Sequence, residues 1–265
     1  MIPVRVLAQV VAVVFGLLGV ALPVLVGRER LARLPQAAPE RVRGVTPHLG
    51  GLGALLVLNS VIRDFGPQFS WVVGWNVTGT IHAIEGSFVA QFQSALVGPA
   101  LTAYFSMVYV YGYVFLLVFP LLAYFALDDG GPLRRTIVAY GVNYGLGVVS
   151  YLLFIAYGPR NLMPELVDSL LFTTYPKYQL LTSEVNSNTN VFPSLHTSLS
   201  VTVALLAAQT RDTYRGWFYV STLVAGSVVA ATMYLGIHWG TDVVAGTALA
   251  VLSVWVADRY VSDAE

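Results

Sequence analysis

The chain has no cysteine among its 265 residues. Disulfides, thiolate nucleophiles and cysteine-ligated metals are therefore excluded. Charge is scarce as well. Asp, Glu, Lys and Arg together make up 11% of the residues, against about 25% in a soluble domain. Fourteen Lys and Arg balance fourteen Asp and Glu, so the basic footprint that nucleic acid demands is missing. There is no internal repeat, no low-complexity tract and no strand-like alternation long enough for a barrel. What fills the place of charge is apolar, at 56% hydrophobic residues. A lipid-facing surface accounts for that balance.

A spanning helix needs about 20 mostly apolar residues. Residues 4–26, 98–126, 136–157, 216–236 and 239–258 meet this requirement. Two further segments, 49–62 and 195–209, are short and span only if tilted or extended. Backbone polar groups in lipid must be satisfied within the segment, which makes every such span helical. The expected fold is an all-α polytopic transmembrane bundle of six or seven spans. It forms a single membrane domain, 1–265. Residues 1–97 comprise an N-terminal span, a basic loop and an amphipathic outer segment, and 98–258 form a catalytic helical core. No small-residue cleavage site follows the first run, so it reads as a retained span rather than a signal peptide.

Basic residues orient the bundle. If seven segments cross, Arg28, Arg30, Arg33, Arg41, Arg43, Arg134, Arg135, Arg211, Arg215 and Arg259 share one side. Arg5, Arg63, Arg160 and Lys177 fall opposite. That split predicts an N-out, C-in chain in the cell membrane. Loops 63–97 and 158–193 then face outward. Trp71, Trp75 and Phe88 in the first suit the headgroup level, where that segment could lie as an interfacial helix. The second loop, with Pro159, Pro164, Pro176 and the polar run Ser183 to Asn190, is too polar for lipid.

Two short segments carry chemistry. In Val191-Phe192-Pro193-Ser194-Leu195-His196-Thr197-Ser198 a proline and a serine precede an apolar helical run, which signals a helix start. Ser194 is placed at the N-cap and His196 in the first turn, beside backbone N–H groups suited to a phosphate. In Tyr234-Leu235-Gly236-Ile237-His238-Trp239-Gly240-Thr241-Asp242, His238 and Asp242 are four apart. On a helix they would share a face, with the carboxylate fixing the imidazole tautomer and freeing the other nitrogen to attack. Gly236 and Gly240 would allow close helix approach at that level. The short turn 210–215 makes the flanking helices antiparallel neighbours, so both histidines come to the same end. One histidine can attack phosphorus while the other protonates the leaving oxygen. Arg160 and Lys177, in the adjacent outer loop, are the candidate phosphate-binding cations.

These motifs resemble the type 2 phosphatidic acid phosphatase superfamily. Pro193-Ser194-Leu195-His196 matches its proline-serine-x-histidine motif, and His238 with Asp242 its histidine-x-x-x-aspartate motif. The resemblance covers roughly residues 98–258. It implies His238 as nucleophile, Asp242 as its orienting partner, His196 as general acid and Ser194 as a phosphate ligand. Leu195 and the stretch GIHWGTDVVAG look most like the branch that includes inositol phosphorylceramide synthases. Ala231 and Thr232 stand where many members carry Ser-Arg ahead of the second histidine, a loss that also fits this inositolphosphotransferase-like branch.

The expected partners are a lipid phosphate substrate, membrane lipids and, as acceptor, water or an inositol or sugar hydroxyl. No cofactor and no metal is expected, because histidines, a helix N-terminus and basic side chains supply the charge stabilisation. The plainer alternatives are these. Arg160 is an interfacial arginine, Lys177 a snorkelling loop lysine, and Ser194 a cap and nothing more. His82 and Glu85, three apart, lack the further ligands a metal needs. The tyrosines from Tyr104 to Tyr124 are helix packing and interface anchors. The rival function is a transporter or channel, which would place polar residues near the bilayer midplane. Such residues cluster instead at helix ends, Asn143 excepted.

Overall fold

The computed structural model describes residues 4–179 and 188–262, apart from the side chains of Ala37, Arg63, Asp64, Phe65 and Pro67. The polar run that begins at Ser183 lies outside these residues as far as position 187.

The chain opens with α1 (Val4–Ala21), which passes through a π-helical stretch, Leu22–Gly27, into α2 (Arg28–Val73). A two-residue strand β1 (Trp75–Asn76) and two short helices, α3 (Thr78–Glu85) and α4 (Phe88–Leu96), follow. Helix α5 (Pro99–Phe125) contains a π-helical stretch at Val108–Gly112. Then come α6 (Gly131–Leu153), β2 (Phe154–Ile155), α7 (Pro159–Leu162), α8 (Leu170–Thr174), α9 (Leu195–Gln209), α10 (Arg215–Tyr234) and α11 (Gly240–Ser262). This is an all-α polytopic bundle. Among the described residues, six helical stretches are long and apolar enough to cross a membrane: Val4–Gln36, Ala38–Ile62, Pro99–Phe125, Gly131–Leu153, Arg215–Tyr234 and Gly240–Ser262. Helix α9 is a shorter apolar helix.

The segment 27–47, expected as a basic loop, is helical from Arg28 onward. Leu31, Leu34, Val45 and Leu52 contact the apolar core at helix-compatible spacing, and the segment is helical despite Pro35, Pro39 and Pro47, each of which removes a backbone hydrogen bond and crowds the preceding turn. The short span 49–62 is thereby lengthened to Ala38–Ile62. The arginines of this stretch stay at one end of the bundle. Arg41 donates to the Phe125 carbonyl and to Asp128, both at the far end of α5.

Helix α9 sits in the middle, in contact with α5, α6, α10 and α11. At 1.5 Å per residue it is about 22 Å long, short of a bilayer core of about 30 Å. Protein rather than lipid surrounds it, so it can bury Ser198, Ser200 and Thr202. Asn143 of α6, fully buried, donates to Thr202 Oγ1 at 3.1 Å and accepts from Ser198 Oγ. The midspan asparagine is thus a tie between two helices.

At the opposite end from the arginines, the segments 75–96 and 154–175 form a cap. β1 and β2 pair in parallel, Trp75 with Phe154 and Asn76 with Ile155. Ile81, Val89 and Ala90 are buried with Met163, Val167, Val191 and Trp239. The amphipathic segment therefore covers the bundle's end, while Trp71, Trp75 and Phe88 remain exposed at its rim. Gln93 of α4 is buried and binds the carbonyls of Asp168 and Tyr234 and the N–H of Asp168, locking the cap to the end of α10.

Candidate active site

Under this cap, Ser194 is the N-cap of α9, and its Oγ accepts the Thr197 N–H at 3.2 Å. It is fully buried, with its own N–H on the Asp242 carbonyl at 3.1 Å. The N–H groups of Leu195 and His196 have no intrahelical partner at such a position. A Cβ on Gly246 would lie 2.5 Å from the Ser194 carbonyl, so this glycine is what lets α11 close on the cap.

His238 lies in the turn between α10 and α11. Its backbone N–H bonds the Thr232 carbonyl, as does that of Ile237. The turn is made at Gly236, whose φ of +71° favours glycine and where a Cβ would meet Val167 at 2.7 Å. Two expectations need correction here. His238 precedes α11 and does not share a helical face with Asp242. The contact forms because Asp242, in the first turn, reaches back over the helix start. Its Oδ2 accepts the Trp239 N–H at 2.8 Å and lies 3.3 Å from His238 Nδ1. The second concerns the glycines: Gly236 serves the turn, and Gly246, not Gly240, serves close helix approach.

The His238 ring is 1% exposed, and among the described residues its Nε2 has no hydrogen-bond partner. Burial and, after it, the nearby Arg160 charge push the imidazole down to about 3, with a Val191 backbone contact acting the other way. It is thus neutral across the physiological range. The His196 ring stands 6.0 Å from it, centroid to centroid. A group within hydrogen-bond reach of both rings, at about 3 Å from each, would fill that gap.

Arg160 opens toward the same space. Its backbone N–H bonds the Gly236 carbonyl, its guanidinium lies 4.4 Å from the centre of the Phe172 ring, and its buried Nη1 has no partner among the described residues. Burial lowers its pKa, and the hydroxyl of Tyr109 opposes that. Lys177 is placed elsewhere: it donates to Gln9 of α1 at 2.9 Å and is exposed. Gln9 in turn bonds Tyr111, which bonds Tyr178.

Arg160 and His196 also line a cavity of about 710 Å³. Its polar end adds Asn161, Gln179 and Asn188, and its walls are Leu7, Val11, Phe15 and Leu18 of α1 with Val110, Val114, Val118 and Leu122 of α5. Leu7, Val11 and Phe15 are exposed at the surface, so the cavity reaches the lipid-facing side between α1 and α5.

The sequence reading missed four contributors. Tyr109 and Tyr113 flank the His196 ring at 4.7 and 4.6 Å; their four-residue spacing was a usable signal, and the π-helical stretch between them is of the kind that clusters at functional sites. Phe172, beneath Arg160, had no signal. Glu85 had only its distance from His82, and its carboxylate accepts the N–H groups of Gly240 and Thr241 at the start of α11.

The family model of the PAP2 superfamily matches residues 79–256. The chain belongs to the PAP2 superfamily. That superfamily generally comprises phosphatases and phosphotransferases, and with six apolar membrane-length helices this member is a multi-pass membrane protein of phosphatase type. Helices α1 and α2 and strand β1 precede the matched stretch. Comparison with curated proteins and with solved structures yielded no match.

Proposed function

We propose that this PAP2 protein cleaves a phosphoester or pyrophosphate bond of a membrane lipid through a phosphohistidine at His238. The observation that carries the reading is a neutral, buried imidazole, oriented by Asp242, with Nε2 free and His196 and Arg160 beside it. In the first half-reaction Nε2 attacks phosphorus and the bond to the leaving oxygen breaks. His196 gives that oxygen its proton. Ser194, the free N–H groups of α9 and Arg160 hold the phosphoryl oxygens. In the second half-reaction an acceptor hydroxyl attacks phosphorus, the P–N bond breaks, and His196 takes the acceptor's proton.

The apolar cavity supports a lipid substrate. From Leu7 to Leu18 its α1 wall is about 16 Å long, close to one leaflet's share of a hydrocarbon core of about 30 Å. Its polar end carries His196 and Arg160. Water as acceptor makes the protein a phosphatase. An inositol or sugar hydroxyl makes it a transferase, the reading favoured by Leu195 and by Ala231 and Thr232 in place of Ser-Arg. The ten-to-four division of basic residues supports an active site on the extracytoplasmic side.

The test is to give purified protein a panel of labelled lipid phosphates, with and without inositol, and to identify the products. Inorganic phosphate identifies hydrolysis, and a phosphoinositol-bearing product identifies transfer. Absence of turnover on every lipid phosphate would contradict the proposal.

A further inference from the structure

Helix α11 starts at Gly240, directly after the residue that follows His238. Its first-turn N–H groups have no intrahelical partners and attract negative charge. Two carboxylates compete for this position. Asp242 belongs to the helix itself, at the third position, from which an acidic side chain commonly serves its own helix start. Glu85 arrives from the end of α3, 155 residues away in sequence from Gly240. Glu85 Oε2 accepts the Gly240 N–H at 2.9 Å, and Oε1 accepts the Thr241 N–H. With these two amides occupied, Asp242 Oδ2 takes only the Trp239 N–H and stays 3.3 Å from His238 Nδ1. Among the described residues Asp242 Oδ1 has no hydrogen-bond partner, so the Trp239 N–H and His238, both on Oδ2, are the contacts that hold the carboxylate's direction.

We propose that Glu85 is a positioning residue for the reaction: by occupying the Gly240 and Thr241 amides, it keeps the Asp242 carboxylate turned toward His238. Without Glu85, two free amides would draw Asp242 onto its own helix start. The imidazole would then lose the partner that fixes its tautomer. This rests on the reading of His238 as nucleophile. It assigns Glu85 no contact with substrate.

The experiment is a double-mutant cycle on lipid-phosphate turnover, with Glu85→Ala, Asp242→Asn and the pair, and with His238→Ala as reference. Glu85→Ala is expected to lower kcat about 10- to 100-fold, by analogy with the loss of hydrogen-bond partners that orient metal-ligating side chains. KM should change by less than about 3-fold, since substrate contacts are intact. In the Asp242→Asn background the same change should cost less than about 3-fold, because its effect runs through that carboxylate. A purely structural cap would lose the same factor in both backgrounds, and that result overturns the proposal. So does full activity of Glu85→Ala. If Glu85→Ala does not fold, Glu85→Gln enters the cycle. It keeps the volume and one acceptor, and the same non-additivity is expected of it. Activity surviving in His238→Ala would instead sink the nucleophile reading.

Discussion

At the scale of single residues, the account depends on two buried side chains, His238 and Asp242, that hold each other in place. Asp242→Asn preserves shape but replaces a charged oxygen with an NH2 donor, so the imidazole can flip to the wrong tautomer and its developing charge goes uncompensated. A comparable change in a serine protease costs about 10⁴ in turnover, and a loss of at least about 10²-fold is expected here. Asp242→Asn combined with His238→Ala should cost little more than His238→Ala alone, since residues acting as a unit are non-additive. Steady-state kinetics on the purified protein checks both. Arg160→Ala should chiefly raise KM, because it removes one of several phosphate contacts. His238 also has a signature in stability. Its folded pKa, about 3, lies below the free value of about 6.5. The stability gained by keeping it neutral is complete above about pH 6.5 and is lost as pH falls toward 3. Melting of wild type in detergent should therefore fall between pH 7 and pH 5 more steeply than melting of His238→Asn. An equal slope in both would contradict the burial of this ring. The four-residue spacing of His238 and Asp242 was visible in the sequence because a local motif is contiguous. Arg160 was visible only as a basic residue in the right loop. Glu85, Tyr109, Tyr113 and Phe172 reach the site through tertiary folding, so spacing alone could not assign them.

At the scale of elements, α9 shows why a short apolar run can belong to a membrane bundle. Its hydroxyls face protein rather than lipid, and Asn143 joins it to α6 through Ser198 and Thr202. Asn143→Leu leaves two buried hydroxyls with one partner fewer, and the expected loss is about 1–2 kcal/mol, measured by unfolding in detergent. The turn before α11 depends on Gly236. Gly236→Ala forces an ordinary residue to a φ of +71° and brings a Cβ to 2.7 Å from Val167. A loss of activity together with stability is expected, since the same turn carries His238. The sequence period placed five of the spans to within a few residues, as apolar runs of that length have one use. It placed 27–47 as a loop because prolines and arginines dominate local preference, while the packing of Leu31, Leu34 and Val45 is non-local.

At the scale of the whole molecule, α1 lies outside the PAP2 match yet forms one wall of the cavity that reaches the catalytic end. A substrate with a long hydrocarbon chain should feel that wall, and a water-soluble short-chain phosphate should not. Val118→Trp, which fills the cavity away from His196, should lower kcat/KM for long-chain lipid phosphates while sparing the short-chain analogue. Equal losses on both would separate the cavity from the substrate path. The central claim is a covalent phosphoenzyme at His238, and it has a direct measurement. Purified protein is mixed with a lipid phosphate labelled at phosphorus, quenched under alkaline conditions, digested and mapped. The account predicts acid-labile label on the peptide containing His238, absent from His238→Ala. Label retained by His238→Ala, or turnover without any labelled histidine in the wild-type protein, would contradict it.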